Sequence, residues 1–350
     1  MINENFLKYD FGSWHPFKPY RWKRVLEILE SKRVFREGVA EKIIAREATE
    51  EELLLIHTRE YIEFVKNAAE RDQGFLDYGD TPARRGVFEG ALARVGATLH
   101  AVDLVLEKRF DHAFNPCGGF HHAKPGSAAG FCVFNDIAIA ARYAQKRYGI
   151  KRIAVIDVDG HHGDGTQEIF YRDPSVLTIS LHRYGIYPGT GWFTEVGAGE
   201  GEGYNINIPF MFPVDDSFYI EVFRGIVVPV VRQYRPELII LQYGADSHYL
   251  DPLAGVGLTT YGYSEIMRIV HELSHELSDK RLVVTGGGGY DIDVVARVWS
   301  IGFMILAGLE SDTSDLHDKI DPRTIEKPRQ DVREYIERIK SVLRRYYKDL

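Results

Sequence analysis

The pattern of apolar and polar positions changes character partway along the chain. Up to about residue 108 it is helical: Thr49 and Glu52 make a capping box ahead of an apolar run, and the alanine-rich stretch Ala83 to Lys108 predicts one long helix. From the middle onward, four short β-branched runs, Arg152 to Val158, Val176 to Leu181, Glu237 to Gln242 and Arg281 to Thr285, are separated by segments of helical periodicity. That alternation predicts an α/β fold with a mainly parallel sheet and crossover helices. A polar linker is expected from Ser311 to Arg329. Beyond it, Val332, Ile336, Ile339, Leu343 and Tyr346 recur at spacings of three and four, a single apolar stripe that predicts a docking helix over about 329–350.

Composition narrows the class. With 350 residues, 45% of them hydrophobic, the chain can bury a large core, and one domain spanning 1–350 is expected. No stretch approaches the roughly 20 apolar residues of a membrane span, and the N-terminus lacks a signal peptide's apolar segment, so a cytoplasmic protein without a membrane partner is expected. The net charge of −8, from 43 basic and 51 acidic residues, gives no drive toward a phosphate backbone, so nucleic acid is not an expected partner. Cys117 and Cys132 are too few for a disulfide framework or a thiolate cluster and read as small buried hydrophobes.

The chemistry gathers after the strands. Downstream of the first run lies Asp157-Val-Asp159-Gly-His161-His162-Gly-Asp164; after the second comes His182, after the third Tyr243-Gly-Ala-Asp246, and after the fourth Gly286-Gly-Gly-Gly-Tyr290. Open α/β sheets place ligand sites at these strand ends, so four loops are expected to converge on one crevice. Asp157, Asp159 and His161 are two apart and leave an extended chain on one face. Two carboxylates beside the apolar run Ile153 to Ile156 are costly unless a cation or hydrogen bonds compensate them. Asp159, His161 and Asp246 therefore form a candidate three-ligand site with positions open for water and substrate. Its mixed oxygen and nitrogen donors suit Zn²⁺ or Fe²⁺ better than Mg²⁺ or Ca²⁺, and zinc is the expected ion. Upstream, Gly118-Gly-Phe-His121-His122 presents two imidazoles, and Asp157 and Asp164 are available to pair with them, giving a base and an acid. Tyr290, after its four glycines, is placed to donate a hydrogen bond to a carbonyl oxygen.

These motifs, with Pro188-Gly-Thr-Gly, occur in the order found in the arginase/deacetylase superfamily. From about Tyr9 to Glu310 the chain resembles its histone deacetylase-like enzymes and the bacterial acetoin-utilisation deacetylase branch. The resemblance implies a three-layer α/β/α fold and hydrolysis of an acetyl or short acyl group from an amine such as acetyl-lysine. It implies Zn²⁺ on Asp159, His161 and Asp246, proton transfers by His121 and His122, orientation of these by Asp157 and Asp164, and polarisation of the carbonyl by Tyr290. It further implies an acyl tunnel with Phe131, beside Gly130, and Tyr187 as walls, Leu253 at the rim and Asp80 holding the substrate backbone. Tyr187 stands where the family often has Phe, a more polar wall; Leu253 replaces the acidic residue of polyamine-preferring relatives, which ranks acetylpolyamines lower. A K⁺ site on Asp157, Asp159, His161, Ser180 and Leu181 is also implied, as is an internal product cavity near Arg21 in His15-Pro-Phe-Lys-Pro-Tyr-Arg21.

Rival readings carry less. His271-Glu272-Leu-Ser-His275 matches the zinc-protease signature. On a predicted helix from Tyr263 to Asp279, however, both histidines fall opposite the apolar face of Ile266, Ile269, Val270, Leu273 and Leu277 and are expected to point to solvent. The further ligands of the protease classes are missing, with Ser278, Arg281 and Val295 in those places. A two-metal ureohydrolase would need extra aspartates in the Asp159-Gly-His161 loop. A non-catalytic binding module would be expected to lack Tyr290 or the paired histidines, and all three are present.

Overall fold

Successive residues of the strand runs go to opposite sides of one sheet. Ile153 and Val155 belong to one hydrophobic cluster and Ala154 and Ile156 to another, just as Leu238 and Ile240 part from Ile239 and Leu241. A sheet apolar on both faces needs a layer of helices on each. A computed structural model of the protein, describing residues 1–319 and 331–350, has that arrangement. Helices Arg59–Arg71, Val87–Leu106 and Asp136–Tyr148 cover one face. Helices Arg21–Ser31, Thr260–Leu277 and Ile292–Leu306 cover the other.

The strands are β1 (His112–Asn115), β2 (Ile153–Asp157), β3 (Val176–Arg183), β4 (Asn205–Phe210), β5 (Leu238–Gln242) and β6 (Leu282–Thr285), in spatial order β1-β6-β5-β2-β3-β4. Every pairing is parallel, so the expected mainly parallel sheet is wholly parallel among the described residues. The four β-branched runs are β2, β3, β5 and β6. The two edge strands are not legible as strands in the sequence: β1 has four residues, and Asn205, Asn207 and Pro209 interrupt the apolar run of β4.

The alanine-rich stretch forms the helix Val87–Leu106, starting after Gly86, whose φ of 90° a residue with a side chain would resist. Inside that helix, a Cβ on Gly96 would run into the backbone of Arg46 to Ala48, so the long helix needs a glycine where this segment crosses it. The Thr49–Glu52 capping box forms with both bonds, Glu52 N to Thr49 Oγ1 at 3.2 Å and Thr49 N to Glu52 Oε2 at 2.9 Å, on the short helix Glu50–Leu53.

The expected linker is packed over its first part. Asp318 is buried and accepts hydrogen bonds from Thr260 N at 2.8 Å and Arg297 Nη1 at 2.7 Å, with His248 Nε2 at 2.9 Å. Its second part, 320–329, lies outside the described residues. The amphipathic helix spans Val332–Leu343 and buries Tyr335, Ile336, Ile339 and Leu343 against the same cluster that covers the sheet. The Tyr335 hydroxyl donates to the Pro209 carbonyl of β4 at 2.9 Å, so the helix docks beside that edge. Ile339→Ala should therefore cost about 2–5 kcal/mol in denaturant unfolding, the scale of a large-to-small change in a packed core. A change within about 0.5 kcal/mol, as at an exposed position, would show that the helix is not docked in solution.

Candidate active site

In a parallel sheet all the carboxyl-end loops open on one edge. The chain runs outward from β2 to β3 and β4, then returns to β5 on the other side of β2, so β2 and β5 flank the point where the winding reverses and ligands collect. Asp159 and His161 follow β2, and Asp246 follows β5. Their ligating atoms lie within 4.8 Å of one another, all three side chains buried. His161 Nδ1 is 2.7 Å from Asp246 Oδ2 and 3.4 Å from Asp159 Oδ1. Each carboxylate is also held from behind: Asp159 Oδ2 accepts from Gln242 Nε2 at 2.6 Å and Gly288 N at 2.7 Å, and Asp246 Oδ1 accepts from Gly160 N at 2.7 Å.

The glycine run after β6 is a packing requirement. A Cβ on Gly288 would run into Asp246 Oδ2, and one on Gly287 into the Gln242 amide. The guanidinium of Arg21, itself buried, donates to the carbonyls of Gly287, at 3.0 Å, and Gly289, which braces the loop ahead of Tyr290. Tyr290 N donates to Asp251 Oδ2 at 2.8 Å. Burial, followed by the charges of Asp246 and Asp159, pushes the Tyr290 phenol well above its ordinary pKa, so it keeps its proton at neutral pH and is a hydrogen-bond donor.

Two His–Asp pairs stand next to this cluster. His121 Nδ1 is 2.7 Å from Asp157 Oδ2, His122 Nδ1 is 2.7 Å from Asp164 Oδ1, and the two Nε2 atoms face each other at 3.1 Å. The pairs are electrostatically unequal. Burial opposes a charge on His121, but Asp157 and Asp159 outweigh it and raise its pKa to about 9. Burial and the neighbouring His121 lower His122 to about 4. Environments that push two adjacent imidazoles apart are those in which one holds a proton and the other accepts one.

The donor set fits a cation. Burial and the charge of Asp159 raise Asp246 to about 8, while His121 and hydrogen bonds from His161 and Asp246 overcome burial to hold Asp159 well below the carboxylate range. Two buried carboxylates and one imidazole at this separation thus force a proton onto one oxygen unless a positive ion takes its place.

A narrow cavity of about 20 Å³, room for about one water, opens onto Asp159 and His161 and is lined by His121, His122, Gly130, Phe131 and Tyr290 among others. A Cβ on Gly130 (φ 53°) would sit 2.5 Å from His122 Cδ2 and 2.8 Å from Tyr187 Cε1, so glycine lets the Tyr187 and His122 rings pack edge-on with centroids 5.0 Å apart. The Phe131 and Tyr290 rings also meet edge-on, at 5.9 Å. Tyr187 is 44% exposed and Leu253 41% exposed, and Tyr187, Leu253 and Asp80 all lie outside the cavity lining, whereas Gly130 and Phe131 belong to it. Asp80 is in a turn beside Thr81, whose hydroxyl accepts from Phe131 N at 3.1 Å, and burial with the adjacent Asp77 raises its carboxyl to about 7. His182 contributes nothing to the cluster: Ser180 Oγ at 2.9 Å and the Gly191 carbonyl at 3.0 Å take up both ring nitrogens.

Sequence reading misses Gln242, Asp251 and Arg21 as supports of this site. Gln242 is the last residue of an expected strand, and its period-two position is the one available signal. The resemblance associates Arg21 with a product cavity, and its guanidinium is seen to brace the glycine loop.

The class defined by fold and site is a three-layer α/β/α protein with a buried Asp–His–Asp cluster at the reversal point of a parallel sheet. The model of the histone deacetylase domain matches residues 15–306, and the chain belongs to the histone deacetylase family. It is 40% identical to the acetoin utilization protein AcuC of Bacillus subtilis, over 89% of this chain and 82% of that protein. It is 35% identical to a probable deacetylase of Archaeoglobus fulgidus, over 99% of this chain and 98% of that one. The crystal structure of the HDA15 HD domain superposes with a TM-score of 0.85 at 29% identity, covering 99% of this chain and 95% of that one. These relatives indicate a histone deacetylase-like deacetylase.

Gly130→Ala should be destabilising, by about 1–3 kcal/mol from overpacking against His122 and Tyr187. Thermal unfolding reads this, and an unchanged midpoint would mean that the two rings do not close over the glycine.

Proposed function

We propose that the protein removes an acetyl or short acyl group from an amine such as acetyl-lysine by metal-assisted hydrolysis, with Asp159, His161 and Asp246 holding one Zn²⁺. The observation that carries this reading is the meeting of that buried triad, two His–Asp pairs and a neutral phenol around one narrow cavity. Zinc, when bound, supplies Lewis acidity toward a carbonyl oxygen and toward water.

The chain's own residues do the rest. The acyl group enters between Phe131 and Tyr187, with Asp80 and Leu253 at the mouth. Of the two facing Nε2 atoms, one takes the proton that water gives up as its oxygen attacks the carbonyl carbon. Asp157 and Asp164 fix which ring nitrogen faces the substrate by holding the other. The Tyr290 hydroxyl donates to the oxygen that becomes negative as the tetrahedral centre forms. When the C–N bond breaks, that same water proton reaches the departing amine from His122, held there since the attack or passed from His121 across the 3.1 Å contact between the two Nε2 atoms, leaving acetate and free amine. The HExxH alternative loses its base, because Glu272 is exposed and His271 and His275 lie away from this cavity.

Two substitutions separate the roles. Tyr290→Phe should keep the full metal content while kcat on an acetyl-lysine peptide falls by about 100-fold or more, the scale of one lost oxyanion donor; unchanged turnover would remove Tyr290 from the chemistry. Asp246→Ala should bind one equivalent less metal than the wild type and lose activity, and a metal content equal to wild type would contradict the ligand assignment. Assay of acetyl-lysine peptides, acetylpolyamines and small acetamides side by side should give the highest kcat/KM with the acetyl-lysine peptides. Preference for a polyamine would contradict the reading of Leu253.

A further inference from the structure

Of the two histidines of the HExxH helix, His275 is exposed as expected and His271 is not. His271 is half-buried, and both it and His275 turn toward His112, the first residue of β1, at the amino end of the sheet's edge strand and away from the carboxyl-end loops. His271 departs from the expected solvent-facing pair because both rings meet a third imidazole, supplied by a strand that sequence reading misses.

His112 Nε2 is 2.9 Å from His271 Nε2 and 3.3 Å from His275 Nε2. One ligand nitrogen from each ring lies within 4.8 Å of the others. In a four-coordinate zinc site, with Zn–N of about 2.0–2.1 Å, neighbouring nitrogens stand about 3.3 Å apart, so both separations from His112 are already near the spacing that a shared ion requires. Hydrogen bonding among neutral imidazoles serves them poorly. If His112 Nε2 accepts from both neighbours, its proton is on Nδ1, which is buried and lacks a hydrogen bond of good geometry, with only the Lys280 carbonyl nearby. If Nε2 carries the proton, one neighbour goes without.

A cavity of about 400 Å³ reaches all three imidazoles, and its walls are mostly apolar, including Ile43, Leu104, Phe110, Phe303 and Leu306. It leaves room for a fourth ligand such as water. Glu272 is exposed and does not line it, so the protease base is missing here as well. Asp111, at the cavity wall, is engaged by Lys280 at 3.2 Å.

We propose that His112, His271 and His275 form a second metal site, for a borderline transition-metal dication such as Zn²⁺, separate from the Asp159–His161–Asp246 cluster and tying the edge strand β1 to the helix Thr260–Leu277. Imidazole-only donors select this class over Mg²⁺ or Ca²⁺.

The test is zinc stoichiometry of the full chain, by equilibrium dialysis against chelator-buffered micromolar free Zn²⁺ and elemental analysis. Wild type should hold two equivalents, and His271→Gln/His275→Gln one, with turnover of an acetyl-lysine peptide unchanged. His275→Gln alone, at an exposed position that does not threaten folding, should weaken the second equivalent at least tenfold. Asp246→Ala should keep the His-site equivalent, so failure of the catalytic assignment and failure of this one read out separately. Equal zinc in wild type and the double variant, or a second equivalent seen only at millimolar free zinc, overturns the proposal.

Discussion

Bringing Asp157, Asp159 and Asp246 to the end of an apolar sheet is the constraint on which the rest of this structure depends. Buried carboxylates are costly unless every oxygen is answered, and here the fold answers them one by one. Asp157 takes the Asp159 amide and His121, Asp159 takes Gln242 and two backbone amides, and Asp246 takes Gly160 N and His161. The glycine loop after β6 exists because no side chain fits between these oxygens and the backbone that serves them. What remains is the side of Asp159 and His161 that opens on the cavity, next to Asp246, where the proposed cation would sit.

The middle of this arrangement is legible in the sequence and its periphery is not. β2, β3, β5 and β6 are dense β-branched runs, and the polar residues at their ends break the pattern so sharply that Asp157, Asp159, His161, Asp246 and Tyr290 group together on sequence alone. The edge strands β1 and β4 lack that density, since one is very short and the other is interrupted by asparagines and a proline. The supporting residues are hidden for a different reason. Gln242, Asp251 and Arg21 act through contacts made 83, 39 and 268 positions away along the chain, a separation that local pattern does not encode. Asp80 and Leu253 come only from family resemblance, and neither is in the cavity lining.

The histidines of the HExxH segment show how a correct local reading can still miss its setting. Their place on an amphipathic helix, off its apolar face, is legible; their neighbour is not, because His112 belongs to an edge strand too short to stand out in the sequence. The same parallel sheet therefore gathers polar donors in two places by two routes. The loops of the active edge converge because strand winding reverses there. The three imidazoles meet where His271 and His275 of one helix reach the first residue of β1.

The most direct measurement is whether zinc occupies the proposed site at Asp159, His161 and Asp246, read by anomalous diffraction at the zinc edge from crystals of the zinc-loaded protein. A peak about 2.0–2.2 Å from oxygens of Asp159 and Asp246 and from a ring nitrogen of His161 is the predicted result. Zinc peaks only elsewhere, with these three side chains still hydrogen-bonded to one another, would contradict the account.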